Sequence, residues 1–207
     1  MKRIERYLET AVVLFGAVVY AIACRQLPFS ADQTALIGTL NDGAMTTLLV
    51  ENPDDSLALH THSRRLQRHQ STSPEIDILK ARMMLTVTDT LSSGVGLAAP
   101  QVGIPYKLIV VRRLDTEGEP WRFYLNPEIT RYSDEKAMGR EGCFSVATRR
   151  GVVERSTSID IRYNDPETFK VCTEHIEGFT AVIFQHEIDH LEGVLFTDRA
   201  AEILPNN

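Results

Sequence analysis

Apolar residues follow two rhythms along this chain of 207 residues. Behind Pro74, the residues Ile76, Leu79, Met83, Val87 and Leu91 recur at intervals of three and four. That spacing predicts one apolar stripe of a helix ending near Ser92-Ser93-Gly94, with Met83 and Met84 as core packing. From Gly94 to about Phe169 the pattern becomes one of short strands and turns. "KLIVVRR", "WRFYL", "SIDIRY" and "FKVCTEHI" are β-rich runs divided by Gly and Pro. A last helix is expected from near Gly178. Strands thus lie between two helices rather than alternating with them. This predicts an α+β fold, with short mixed or antiparallel β-sheets packed around a C-terminal helix, and not a parallel α/β sheet.

Toward the N-terminus the pattern weakens. Ser30 is placed to cap an additional helical segment over Asp32 to Leu40, stopped near Gly43. Residues 51 to 73, with "ENPDD" and "HQSTSP", read as a loop-rich arm. Within it His60 and His62 would share one face of a strand, and such a pair is usually exposed. Residues 1 to 24 stand apart: Lys2, Arg3 and Arg6 precede the uncharged run "AVVLFGAVVYAIAC". Fourteen helical residues span about 21 Å, short of a hydrocarbon core of about 30 Å. A basic start, a short apolar run and small closing residues suit a signal-type leader better than a spanning helix. "AIAC" resembles the box before the lipidated cysteine of bacterial lipoproteins, with Ala21 where Leu is usual. Membrane attachment through Cys24 and a place in the cell envelope are the corresponding expectations; without processing of the leader the chain would stay cytoplasmic.

Composition narrows the function classes. Hydrophobic content of 43% and charged content of 24% describe an ordinary globular chain. A net charge of -6 argues against an extended nucleic-acid surface, and Arg64, Arg65 and Arg68 read as a solvated face. Three cysteines, Cys24, Cys143 and Cys172, are too few and too scattered for a disulfide framework.

The sharpest motif is "QHEIDHLEG", from Gln185 to Gly193. His186 and His190 lie one helical turn apart and can aim at one ion, while Glu187 reaches a water beside it. A longer protease pattern would place a third histidine at 196, where Phe196 stands. No histidine follows His190. The carboxylates Glu192, Asp198 and Glu202 lie within 12 residues, with little chain left to present them from a separate helix. The third ligand must then come from upstream. Cys143 sits in the Gly-flanked "GREGCFSV"; Cys172 competes from mid-strand, where a small buried hydrophobe is the usual role. A thiolate with two imidazoles leaves a fourth position for water and accepts zinc, iron, cobalt or nickel.

Three stretches then converge. "GVGLAAPQVG" (Gly94–Gly103), "EGCFS" (Glu141–Ser145) and "QHEIDHLEG" resemble, in order and spacing, the three signature motifs of peptide deformylases, with "LNPEI" (Leu125–Ile129) similar to the intervening segment. The resemblance covers roughly residues 46 to 200. It divides the chain into a leader (1–24), an extension (25–45), a catalytic domain (46–200) and a short tail (201–207). It implies removal of the formyl group from N-formylmethionyl peptides or nascent chains. The resemblance makes Cys143, His186 and His190 the ligands of one divalent ion, Fe2+ in the cell, with Zn2+, Ni2+ or Co2+ as substitutes. Glu187 becomes the general base and acid, and the Gln101 side chain and Phe144 backbone amide the donors to the oxyanion. Phe144 replaces the usual leucine and Ala147 the usual proline.

The chemistry suits those residue types. Water is a poor nucleophile, and a divalent ion can bring its pKa toward about 7. A carboxylate can take that proton and return it to the departing amine. Phe179, Val182 and Ile183 lie seven, four and three residues before His186, an apolar wall fit for a methionine side chain. Val95, Gly96 and Gly142 are, by resemblance, contacts for a peptide adding along a strand edge. Glu141 and Asp189 would orient ligands or bind Arg150 or Arg155. Two other readings fit the motif alone: a metalloprotease, or a relative that binds metal and peptide without turnover.

Overall fold

The computed structural model describes residues 28–89 and 94–206. The leader, Cys24, residues 25 to 27 and the segment from 90 to 93 lie outside the described residues, as do the expectations placed on them. Among the described residues, six α-helices and eight strands follow one another as α1 (Ala31–Ile37), α2 (Pro53–Leu59), α3 (Arg68–Ser71), α4 (Pro74–Val87), β1 (Gly96–Ala98), β2 (Leu108–Arg112), β3 (Trp121–Tyr132), β4 (Lys136–Cys143), β5 (Val146–Ser156), β6 (Ser158–Asn164), β7 (Val171–Glu177), α5 (Gly178–Leu191), α6 (Phe196–Arg199) and β8 (Glu202–Pro205). The fold is α+β. Every pairing between these strands is antiparallel, so the mixed alternative does not arise. Nor are all the strands short: β3 runs for 12 residues and β5 for 11.

Two sheets form, in the orders β1-β2-β3-β6-β7 and β4-β5-β8. The larger is covered on both faces, which is why β2 reads as an unbroken apolar run. Leu108 and Val110 face a core shared with Ile76, Leu79 and Met83 of α4. Ile109 and Val111 face the opposite core, filled by Ala181, Phe184, Ile188 and Leu191 of α5. The metal helix is thus clamped on one side by the five-stranded sheet, leaving its other side for the smaller one. Gln185 fixes it there: its Oε1 accepts from the Ser156 amide at 3.0 Å and its Nε2 donates to the Ser156 carbonyl at 2.8 Å.

Ser30 caps α1 in a capping box, as its position predicts, but the helix stops at Gly38 (φ +61) rather than near Gly43. The extension is part of the core: Phe29, Ile37 and Met45 are buried in it. Arg82 of α4 donates to the carbonyls of Gly43, Leu36 and Ile37 at 2.8, 3.2 and 2.7 Å. The arm expected to be loop-rich contains α2 and α3. Asn52 caps α2 by accepting from the Asp54 and Asp55 amides, with Pro53 in the first turn. Asn-Pro-Asp-Asp is itself a helix-start signal, which a reading of the stretch as turn residues overlooks. His60 and His62 are exposed, yet on no strand: His60 ends α2, and His62 meets Glu192. The presumed tail carries β8, paired along β5 from Arg149 to Val152. Among the described residues no helix is long and apolar enough to cross a membrane.

Candidate metal centre and active site

Three elements bring the ligands together. Cys143 closes β4, and a two-residue turn, Phe144-Ser145, leads into β5 with Cys143 opposite Val146. A register shift between Glu141 and Cys143 re-aims the strand at that point. His186 and His190 stand one turn apart on α5. One ligand atom each of Cys143, His186 and His190 lies within 4.8 Å of the others. Among the described residues this is the one such group of three or more metal-ligating side chains. Cys172 belongs to β7, opposite Tyr163, and is not part of it. The downstream carboxylates are committed elsewhere. Glu192 binds Lys107 and His62, Asp198 accepts from the Leu195 amide at 2.8 Å, and Glu202 lies on β8.

The surroundings fit a cation. Gln101 Nε2 and the Ser145 amide donate toward Cys143 Sγ at 3.2 and 3.4 Å. His186 Nδ1 donates to Glu141 Oε2 at 2.8 Å, freeing Nε2 for an ion. Burial alone would lower the His186 pKa, but the Cys143 sulfur and Glu141 carboxylate outweigh it and raise it well above the usual range, so the pocket attracts positive charge. Burial, with His186 and Arg155 nearby, holds His190 well below that range and keeps it neutral. Both observations suit a thiolate and two imidazoles around one ion.

Behind the ligands runs an ionic chain, buried at Glu141, Arg155 and Asp189. Arg155 binds Glu141 through Nε (2.8 Å) and Nη2 (3.0 Å) and Asp189 through Nη1 (2.5 Å), and Arg199 grips Asp189 at 2.6 and 2.7 Å. Burial raises the Glu141 pKa, but hydrogen bonds from His186 and Arg155 prevail and bring it down to about 2. Arg155, not Arg150, is therefore the partner of Glu141 and Asp189. Phe196, at the position where the protease pattern has histidine, stacks on His186 with centroids 6.3 Å apart and planes at 20°. Gly151 makes room for it: a β-carbon there would lie 2.6 Å from Phe196 Cδ2. Sequence reasoning missed Phe196 as a packing partner of the ligand, although its fully apolar character at that spacing was the available signal.

Glu187 is buried beside this centre, 4% exposed, with Oε2 lacking a hydrogen-bond partner. Burial first, and the Glu141 charge after it, push its carboxyl up to about 7 against the attraction of His186. Gly96 leaves it space, since a β-carbon there would lie 2.5 Å from Glu187 Oε1. Gln101 is also buried, anchored by the Ala98 amide donating to its Oε1 at 2.8 Å. Its Nε2 is left pointing at the sulfur.

Cys143, His186, Glu187 and Gln101 open on one cavity of about 690 Å³. Val95, Gly96, Gly142, Phe144, Phe179, Val182 and Ile183 line it together with Cys143, His186, Glu187 and Gln101; His190 stands behind. Phe179 is 58% exposed and Ile183 4%, so the apolar wall grades from rim to floor. Two strands bordering the cavity, β1 and β4, are sheet edges. Thr47, Leu49, Arg140, Arg150 and Asn206 also line it and carry no sequence signal, because they arrive from separate segments.

The polypeptide deformylase family model matches residues 47–205. The chain belongs to that family. It is 40% identical over 157 residues to a peptide deformylase of Desulforudis audaxviator, covering 75% of this chain and 94% of the relative. A Rhizorhabdus wittichii peptide deformylase is 37% identical over 162 residues, with 75% and 87% covered. Among solved structures, the actinonin-bound class I type b peptide deformylase of Acinetobacter baumannii superposes with a TM-score of 0.67 at 30% identity, covering 77% of this chain and 99% of that one. The Thermotoga maritima peptide deformylase gives 0.66 at 30% identity, with the same coverage. With its Cys143, His186 and His190 site intact, this deformylase is a metal-dependent hydrolase that removes the formyl group from N-formylmethionyl peptides.

Proposed function

We propose the following division of labour. Cys143, His186 and His190 would hold a divalent ion, which would supply Lewis acidity toward water and the formyl carbonyl. Glu187 takes a proton from the attacking water and delivers it to the methionine nitrogen as the formyl C–N bond breaks, releasing formate and a free amine. A carboxyl near 7 can do both at neutral pH. Gln101 Nε2 and the Phe144 amide donate to the oxygen on which negative charge develops. Phe179, Val182, Ile183 and Val95 exclude water from the methionine side chain. The peptide backbone pairs along the edges of β1 and β4 near Gly96 and Gly142.

The observation that carries this reading is the placement of Glu187, with an unpartnered buried oxygen, in the same cavity as the ligand sulfur and the Gln101 amide. The test is Glu187→Ala. It should keep one bound metal per chain and lose about 10² to 10⁴ in deformylation of a formyl-Met peptide. Unchanged turnover would overturn the role. For the metal, the donor set of one thiolate and two imidazoles accepts zinc, iron, cobalt or nickel alike, and the family resemblance is what favours ferrous iron, checked by elemental analysis of protein purified without oxygen. For location, the basic start and the "AVVLFGAVVYAIAC" run support an exported chain lipidated at Cys24. An intact Met1 in the cytosolic fraction, read by mass analysis, would overturn it.

A further inference from the structure

The cavity wall formed by the smaller sheet carries two arginines for which the reaction has no use. Arg140 and Arg150 are exposed, line the cavity, and flank the edge at Gly142. Among the described residues neither has a carboxylate within ion-pair distance. The nearby acids are engaged: Glu141 holds Arg155 and His186, and Glu187 faces Gly96. Arg150 is held in place. Its Nε donates to Asn206 Oδ1 at 3.0 Å, while Asn206 Nδ2 donates to the Ala147 carbonyl at 2.7 Å. Its guanidinium lies close against Gly142, where a β-carbon would come within 1.5 Å of Nη1. The remaining donors of this fork are oriented and uncommitted.

From these positions we infer that Arg140 and Arg150 form a carboxylate subsite, and that the preferred substrates are short formylated peptides carrying a carboxylate at their second or third residue. This rests on the deformylase reading above. The distance argument is simple. Gly142 is the residue next to Cys143, and an extended peptide advances about 3.3–3.6 Å per residue. A guanidinium over Gly142 is therefore within two or three residues of the formyl group. A fixed planar fork suits a carboxylate, bidentate and charge-assisted. A nascent chain presents no terminal carboxylate there, whereas a released di- or tripeptide does; an Asp or Glu side chain offers the same group.

The test compares formyl-Met-Ala-Ala as free acid, as C-terminal amide, and as the amide with Glu in third place, on the metal-loaded enzyme. Wild type should favour either carboxylate form over the plain amide by about tenfold or more in kcat/KM, mostly through KM, and high salt should shrink the ratio. Preference for the free acid alone identifies a terminal carboxylate; equal preference for the Glu amide identifies the group itself. In the double variant R140Q/R150Q the ratio should fall to within about twofold of one. Acid and amide handled alike by wild type, or a ratio kept by the double variant, would overturn the subsite. Calorimetric binding of the product Met-Ala-Ala, acid against amide, gives a readout independent of turnover. If neither formyl peptide is processed, the deformylase reading fails, while tighter binding of the acid still supports the subsite and equal binding still overturns it.

Discussion

Gly96 and Glu187 compete for one small volume. The carboxylate can occupy its place in the cavity wall only because residue 96 has no side chain. Gly96→Ala should therefore leave the metal bound and displace Glu187, and a displacement on the order of 1 Å costs about 10² in rate. Single-turnover kinetics beside metal analysis check this; a rate within twofold of wild type would show that the carboxylate can yield. Gln101→Ala should cost about 10² to 10³ in kcat with KM little altered, as loss of one oxyanion donor does. At this scale the sequence was informative. The histidine spacing, the Gly-flanked cysteine and the resemblance to three motifs named every residue of the ligand group. What it could not convey was the reason for each neighbour. Phe196 looked like a missing histidine and is instead the ring that packs on His186.

Elements, not residues, hold the ligands at their spacing. Arg155 ties β5 to β4 through Glu141 and to α5 through Asp189, so one guanidinium spans the cysteine strand and the histidine helix. Arg155→Met would leave buried Glu141 with His186 alone and Asp189 with Arg199 alone, and breaking a buried pair costs about 3–5 kcal/mol. Urea unfolding should show this loss, and the bound metal should exchange faster. Unaltered stability would assign the anchoring to packing. At the end of α5 the chain turns at Gly193 (φ +71), and a β-carbon there would lie 2.5 Å from the His60 carbonyl. Element types were read well where periodicity was long, as in α4 and α5. They were read poorly where local chemistry decides. β3 runs through Asn126-Pro127, a pair that suggests a break, because Asn126 takes a left-handed conformation (φ 51) and the register shifts there. β8 has only four residues and ends in Pro205, too little for alternation to register.

For the whole molecule, metal and fold are linked. The ligands come from both the smaller sheet and α5, so an ion binding the folded form stabilises the join between them. An ion at a thousand times its Kd contributes about 4.1 kcal/mol. Chelation should lower the melting temperature reversibly, and Cys143→Ser should shrink the difference between metal-loaded and stripped protein. Equal melting with and without metal would uncouple the two. The layout of helices around a central β region was legible from rhythm alone. The second sheet was not, since its edge at β8 joins β5 from some fifty residues away, and such long-range pairing leaves no local trace. That late strand has a practical consequence. Asn206 hands its amide to the hairpin at Ala147 and its carbonyl to Arg150, at the mouth of the cleft. Asn206 thus stands at the doorway through which peptides enter. An affinity handle placed there would crowd substrate access, so kinetic comparisons of this hydrolase belong on protein from which such a handle has been cut away.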